Sequence, residues 1–393
     1  MGDDKSAVHN DGHRSAAALE TPRTTAPRRR RVTALVIAAV SIIAVLSSAV
    51  LLAPSHDTVT IAVILPADEG SFSHSVGIES AMTMAIDEIN KWGGIGNVRI
   101  ELVVEETLPG SEAVSAVFER LERERSPVAY VTVSCGLLST LSPLAEAASV
   151  PLIGMASAPS LTEGFEWVYR YYTTVESEVD STMKMLQPLD VSSLGVLYTS
   201  SSHGCGINDL LVEAFSAVGG TVYSERCGPE ETDFTVEVAN LSHADAIYIV
   251  SSCNVIAEML STIQDSRYAG HVLMASNGAS PDLTGLIDSE VVYVSAPAFY
   301  RLENMLASTF IERYESIHDA PLDHHGAIAY DLVYLVHGLL EGGEVSREVL
   351  GYRLSQGFMY SGVVGNLRID PGVHDFELPV YPAMVSEGEL SYL

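Results

Sequence analysis

Between Val59 and Glu106 the chain changes periodicity twice, and few folds accept that pattern. Thr60–Leu65 is a short, apolar, β-branched run closed by Pro66, which reads as a buried strand. After a polar loop, Ala67–Ser75, the residues Ile78, Met82, Ala85, Ile86 and Ile89 recur at helical spacing. Gly93-Gly94 stops that helix and passes the chain to a second apolar strand, Val98–Val104. Strand, helix and strand in this order form a βαβ unit, whose crossover commits the strands to a parallel sheet covered by helices.

The alternation continues to the end of the chain. Further strands are predicted at Val128–Val133, Leu152–Gly154, Leu194–Tyr198, Thr221–Glu225, Ala246–Val250, His271–Met274 and Val291–Val294. Helical patterns fall at Glu112–Glu124, Leu138–Ser149, Glu176–Leu186, Ile207–Val218, Val255–Gln264, Asn304–Ile317, Gly326–Leu340 and Arg347–Leu354. The fold class is therefore α/β, and a stretch from 54 to 393 is long enough for two lobes of ordinary domain size.

What precedes the first strand sets the compartment. Val32–Ala53 has no charge in 22 residues, and at ~1.5 Å per helical residue it spans roughly 33 Å, enough for a hydrocarbon core. Arg28–Arg31 stands directly before it, so the positive-inside rule keeps the polar tail 1–31 cytoplasmic and everything after Ala53 outside. The expectation is a single-pass membrane anchor over 32–53. Its rival is a cleaved signal segment, with Ser47-Ser48-Ala49 as the small-residue cleavage site. The tail has the polar composition of a disordered segment. No second apolar run of that length follows, and no kinase, cyclase or DNA-binding segment is recognisable.

Of 51 acidic and 21 basic side chains, four and seven respectively lie in the first 31 residues, leaving 47 against 14 outside. So acidic a surface repels nucleic acid and anionic lipid and favours solubility. Four cysteines, Cys135, Cys205, Cys227 and Cys253, would face a disulfide-permissive compartment, without any C-x-x-C pair. Three of them follow predicted strands, and a disulfide of Cys205 with Cys227 or with Cys253 is one expectation. A metal centre from Cys135 and His203 fits no compact ligand spacing, so none is assigned.

The wording of the first unit, "EINKWGGIGNVRI", resembles the start of the amino-acid-binding periplasmic proteins typified by the leucine/isoleucine/valine-binding protein. "SCGLLSTLSPLAEAASVPLIGMASAPSLT" (134–162), "AYDL" (329–332) and "GVVGNLRIDPGVHDF" (362–376) are similar to later segments of that family, in the same order. The resemblance implies two Rossmann-like lobes joined by three crossings, with ligand bound between them. It places lobe one at 57–174 plus 297–365 and lobe two at 175–296 plus 366–393. Its partners would be a small-molecule ligand and the permease and ATPase of an ABC importer, and no cofactor is implied.

Ligands of open α/β sheets sit at the carboxyl ends of the strands. The best candidates there are Ser134-Cys135-Gly136 and Ala156-Ser157, where helix-terminal N–H groups and hydroxyls suit an anion. By resemblance these hold the α-carboxylate of an amino acid. His203 stands where relatives carry a Tyr of a Tyr-Gly pair, and Ser252 lies in another ligand loop that is usually aromatic. Where relatives present an acid to the α-amino group this chain has Asn277, and burying an unpaired ammonium costs several kcal/mol. Either Asp68 or Glu69 of the first loop serves instead, or the ligand is an amide or short carboxylate. Phe72 of the same loop is a candidate to close over an apolar part of the ligand.

The expected function is solute capture by lobe closure for an ABC importer. A sensory ectodomain acting with a partner membrane protein is the alternative. An enzyme is disfavoured, since no G-x-S-x-G elbow, H-E-x-x-H or P-loop occurs.

Overall fold

The computed structural model describes residues 58–67, 72–108, 110–228, 231–287, 290–300 and 305–393. The expected tail and anchor, and Asp68 and Glu69, lie outside the described residues. Among the described residues no helix is long and apolar enough to cross a membrane.

Two sheets organise the chain. The first is built from β1 (Thr58–Pro66), β2 (Arg99–Thr107), β3 (Ala129–Val133), β4 (Leu152–Met155), β5 (Val168–Tyr172) and a late strand, β13 (Asp375–Glu377), in the order 13-5-4-3-1-2. Every pairing in it is parallel. The second holds β6 (Ser193–Thr199), β7 (Thr221–Cys227), β8 (Ala246–Val250), β9 (His271–Met274) and β10 (Val292–Pro297) as parallel strands, with antiparallel β14 (Val380–Ser386) and β15 (Glu389–Tyr392) at one edge, in the order 15-14-10-9-8-6-7. A hairpin of β11 (Phe358–Gly362) and β12 (Gly365–Ile369) stands apart from both.

Helices cover both faces, and the strand sequences show why. Ile61, Val63 and Leu65 of β1 enter one apolar cluster, while Ala62 and Ile64 enter the cluster on the opposite face. In β8, Ile247 and Ile249 face one way and Ala246, Tyr248 and Val250 the other. Strands buried on both sides read as continuous apolar runs, which is the signal the sequence carries. The covering helices of the first sheet include α1 (Phe72–Lys91), α2 (Ser111–Glu124) and α3 (Cys135–Ala148), and of the second α4 (Val175–Leu186), α5 (Ser202–Ala217), α6 (Thr235–Leu241), α7 (Cys253–Asp265) and the one-turn α8 (Pro281–Thr284). The chain then adds α9 (Met305–His318), α10 (His324–Leu340) and α11 (Arg347–Ser355). Residues of α9 and α10 join the core of the first lobe. α1 and α10 approach closely at two glycines: a Cβ on Gly326 would stand 3.2 Å from the Gly77 carbonyl oxygen.

Four features differ from expectation. Val168–Tyr172 is a strand although Arg170 interrupts its apolar pattern. That guanidinium is wholly buried, and its Nε donates to Asp375 at 2.8 Å and its Nη1 to the Ala156 carbonyl at 3.2 Å. A paired and hydrogen-bonded charge can occupy a core position that an unpaired one cannot. Secondly, the final return to the second sheet comes after Glu377, not at 366, because β13 pairs with β5 while β14 pairs with β10. Thirdly, helix α1 begins at Phe72, inside the expected loop. Fourthly, Cys135, Cys205 and Cys227 are free thiols. Cys227 ends β7 on the apolar cluster of one sheet face, while Cys205 packs against the cluster on the other, so the expected Cys205–Cys227 disulfide is not formed. Burial pushes the Cys227 thiol up to about 12, aided by Glu231, which disfavours the thiolate. The Cys253 side chain lies outside the described residues.

Three connections link the lobes, following β5, β10 and β13, and hydrogen bonds tie them together. Leu378 N donates to the Tyr172 carbonyl at 3.2 Å, Ala298 N to that of Pro379 at 3.4 Å, and Thr174 Oγ1 to Glu377 at 2.8 Å.

Candidate ligand-binding cleft

The carboxyl ends of both parallel sheets converge on one cavity of about 300 Å³. Its size falls at the lower end of the range for small-molecule sites. From the first lobe come Pro66 at the end of β1, Val133 at the end of β3 with Ser134, Cys135 and Gly136 after it, Met155 at the end of β4 with Ala156 and Ser157 after it, and Tyr172 at the end of β5. Ile78 of α1 and His325 of α10 complete that side. The second lobe contributes Ser201, Ser202 and His203 after β6, Ser252 after β8 and Asn277 after β9. β6 and β8 flank the point where the second sheet reverses its strand order, and ligand crevices form at such points.

The cleft thus brings together Ser134, Cys135, Gly136, Ala156, Ser157, His203, Ser252 and Asn277. Phe72 opens α1, and its side chain lies outside the described residues, as do Asp68 and Glu69.

Local geometry explains each contribution. Ser134 caps α3: its hydroxyl accepts from Leu137 N at 3.3 Å. Its φ of 74° is a left-handed conformation that a non-glycine residue adopts at a cost of order 1–3 kcal/mol. The turn lets β3 pass directly into α3 and leaves the first-turn N–H groups of Cys135 and Gly136 without intrahelical acceptors. Ser201 caps α5 in the same way, accepting from Gly204 N at 3.0 Å. A Cβ on Gly204 would lie 2.3 Å from the Thr199 carbonyl oxygen, so only glycine permits this close return of the helix onto β6.

Behind the second lobe's wall lies a carboxylate that sequence reasoning missed. Glu178 of α4 is 0% exposed, and its two oxygens accept from His203 Nε2 at 3.0 Å and from Ser276 N at 2.8 Å. A carboxylate only accepts, so Glu178 fixes the proton on Nε2 of His203. It also joins two loops that line the cavity, since Ser276 precedes Asn277. Asn277 Nδ2 in turn donates to the Ser251 carbonyl at 2.9 Å, and Thr199 Oγ1 lies 3.1 Å from Ser251 Oγ. The loops after β6, β8 and β9 therefore form one hydrogen-bonded assembly.

On the opposite wall Tyr172 bridges two histidines, its hydroxyl standing 3.1 Å from His324 Nε2 and 2.8 Å from His325 Nε2. His325 Nδ1 lies 3.4 Å from Asp323 Oδ2, and Asp323 Oδ1 caps α10 by accepting from Gly326 N. A tyrosine ending a strand and a His-His pair opening a helix are weak signals in a sequence, because neither motif says that the two meet. Among the described residues no group of three or more His, Cys, Asp and Glu is placed to hold a metal ion.

The geometry suits non-covalent capture of a small solute by apolar surface and fixed donors. No curated protein sequence matches the chain. Solved structures of similar fold include a leucine-binding protein, LivK, from Thermotoga maritima, 19% identical, with a TM-score of 0.74 over 85% of this chain and 97% of that one. A branched-chain amino acid transporter substrate-binding protein, LivJ, from Streptococcus pneumoniae in complex with isoleucine is 19% identical, with a TM-score of 0.75 over 85% of this chain and 98% of that one. A solute-binding protein of an ABC transporter from Rhodopseudomonas palustris, in complex with 3,4-dihydroxybenzoic acid, is also 19% identical, with a TM-score of 0.75 over 86% and 96%. Residues 58–389 match the periplasmic binding protein family, and this chain belongs to it.

Proposed function

We propose that the protein is the extracytoplasmic solute-binding component of an ABC importer, which captures a small polar ligand, an amino acid or a related compound, between its two lobes. The observation that carries this reading is the cleft itself: polar loops from both lobes meet on one cavity, and three connections link the lobes. Closure of two lobes about such connections is how ligand becomes enclosed. The relatives described above, which bind isoleucine and a dihydroxybenzoic acid, support transport as the context. Capture requires no covalent step, and the reading is of a binding protein and not an enzyme. Val32–Ala53 serves as an uncleaved anchor that holds the acidic domain outside the membrane, with the basic flank Arg28–Arg31 inside.

Thermal unfolding of the full chain against panels of amino acids, amides and carboxylates tests the proposal. A ligand at ~1,000 times its dissociation constant stabilises by roughly 4 kcal/mol, which raises the midpoint by several degrees. Silence across all panels, with no importer able to use the protein, would overturn it.

A further inference from the structure

Resting on that reading, the chemistry of the cleft narrows the ligand class: we infer that the cleft selects an organic acid with an apolar body and no ammonium group, in preference to the α-amino acid of the same skeleton. Three observations combine.

The first is charge. Among the described residues, none that lines the cavity is an Asp or Glu. Two acids stand against lining residues: Glu178, 0% exposed with its oxygens accepting from His203 Nε2 and Ser276 N, and Asp323, whose Oδ2 lies 3.4 Å from His325 Nδ1 and whose Oδ1 caps α10. Neither carboxylate lines the cavity, and each is separated from it by the imidazole it pairs with, His203 or His325. Asn277, from the loop that Glu178 anchors, brings an uncharged amide to the cavity.

The second is the balance of donors. Both lobes face the cavity with groups that serve an anion. The first-turn amides of Cys135 and Gly136 stand on one side, and the first turn of α5 with Ser202 and His203 on the other, with Ser252 beside them. His203 gives up Nε2 to Glu178, so the buried negative charge is met inside the protein and is not offered to the ligand.

The third is the apolar wall. Pro66, Ile78, Val133, Met155 and Ala156 all belong to the first lobe, so a hydrocarbon or aromatic body packs there while its carboxylate meets the donors.

The test titrates the full chain with matched pairs: 3-phenylpropanoate against phenylalanine, 4-methylpentanoate against leucine, and benzoate against 4-aminomethylbenzoate. The expected result is that, in the pairs that bind, the acid without ammonium binds at least tenfold tighter. Asn277→Asp, and separately Ser252→Asp at an exposed lining position, should each weaken the acid at least tenfold and shift the ratio toward the amino acid. Tighter binding of the amino acid in any pair overturns the inference and leaves solute capture intact, with Asp68 or Glu69 then supplying the counter-charge. Silence for every acid also overturns it, while the wider panel of amides and amino acids decides separately whether the chain captures solutes at all.

Discussion

The two walls of the cleft are built differently. The first lobe's wall carries all the aliphatic side chains, from β1, β3, β4 and α1, beside the amides of one helix terminus, the hydroxyls of Ser134 and Ser157 and the Tyr172–His325 pair. The second lobe's wall is serine, histidine and asparagine, joined by side-chain hydrogen bonds and backed by the fully buried Glu178. An apolar wall tolerates many ligand bodies, because dispersion and burial are non-directional. A bonded polar assembly does not, because each donor and acceptor has one useful direction. On the proposed function, the comparison predicts general affinity from the first lobe's apolar side chains and discrimination from the second lobe's bonded loops.

The sharpest way to break it is Glu178→Ala. This change leaves the Ser276 amide and the His203 ring without their acceptor in a closed space, so the domain should lose about 3 to 4 kcal/mol in urea denaturation. Ligand specificity should relax together with stability. If affinity and selectivity are unchanged in the folded variant, the loops after β6 and β9 do not act as a unit.

A second buried carboxylate provides the contrast within the first lobe. Asp331 of α10 is 1% exposed and accepts from Val363 N and Val364 N at 2.9 Å and from the Tyr360 hydroxyl at 3.0 Å, fastening the β11–β12 hairpin without lining the cleft. Burial outweighs those donors and pushes its carboxyl up to about 6. The folded chain therefore holds this proton over a range where the unfolded chain, with an ordinary value of about 3.9, has released it. Stability from this group is present below pH ~4 and is lost as pH rises through about 6, amounting to about 3 kcal/mol. Unfolding free energies of wild type and Asp331→Asn, compared from pH 4 to 7, should converge or cross with that slope. Ligand selectivity should stay constant throughout.

Smaller effects sharpen the division. His203→Gln keeps a donor to Glu178 but removes the ring, and should weaken ligand at least tenfold, about 1.4 kcal/mol, in calorimetric titration. Ser134→Ala removes the cap of α3 and should cost about 1 kcal/mol of stability. Affinity should fall for all ligands by a similar factor, since the first lobe does not discriminate. A ligand-dependent loss in Ser134→Ala would erase the distinction between the walls.

Much of this was readable in the sequence. Parallel strands buried on two faces must be continuous apolar runs, and helices that cover them must show a 3.6-residue stripe, so most of the parallel strands and their helices follow from local pattern. The loops that line the cleft were also legible, because ligands sit at the carboxyl ends of strands wherever the sheet is open. β5 was hidden by Arg170, whose charge is acceptable only because Asp375, distant in sequence, comes to meet it. β13 to β15 were hidden because three short segments at the end of the chain divide between two sheets, and nothing local says which.

The amino-acid sequence by itself determined the α/β alternation and the strand-end loops, since these depend on hydrophobic period and on turn residues within a few positions of one another, while the family was legible only as a resemblance of wording in segments such as "EINKWGGIGNVRI". Only the tertiary structure decided that Glu178 stands behind His203, that Tyr172 meets His324 and His325, and that Cys205 and Cys227 stay apart. Each of these depends on where side chains far apart in the chain point once the two sheets are packed. Contacts of that kind leave no periodicity to read.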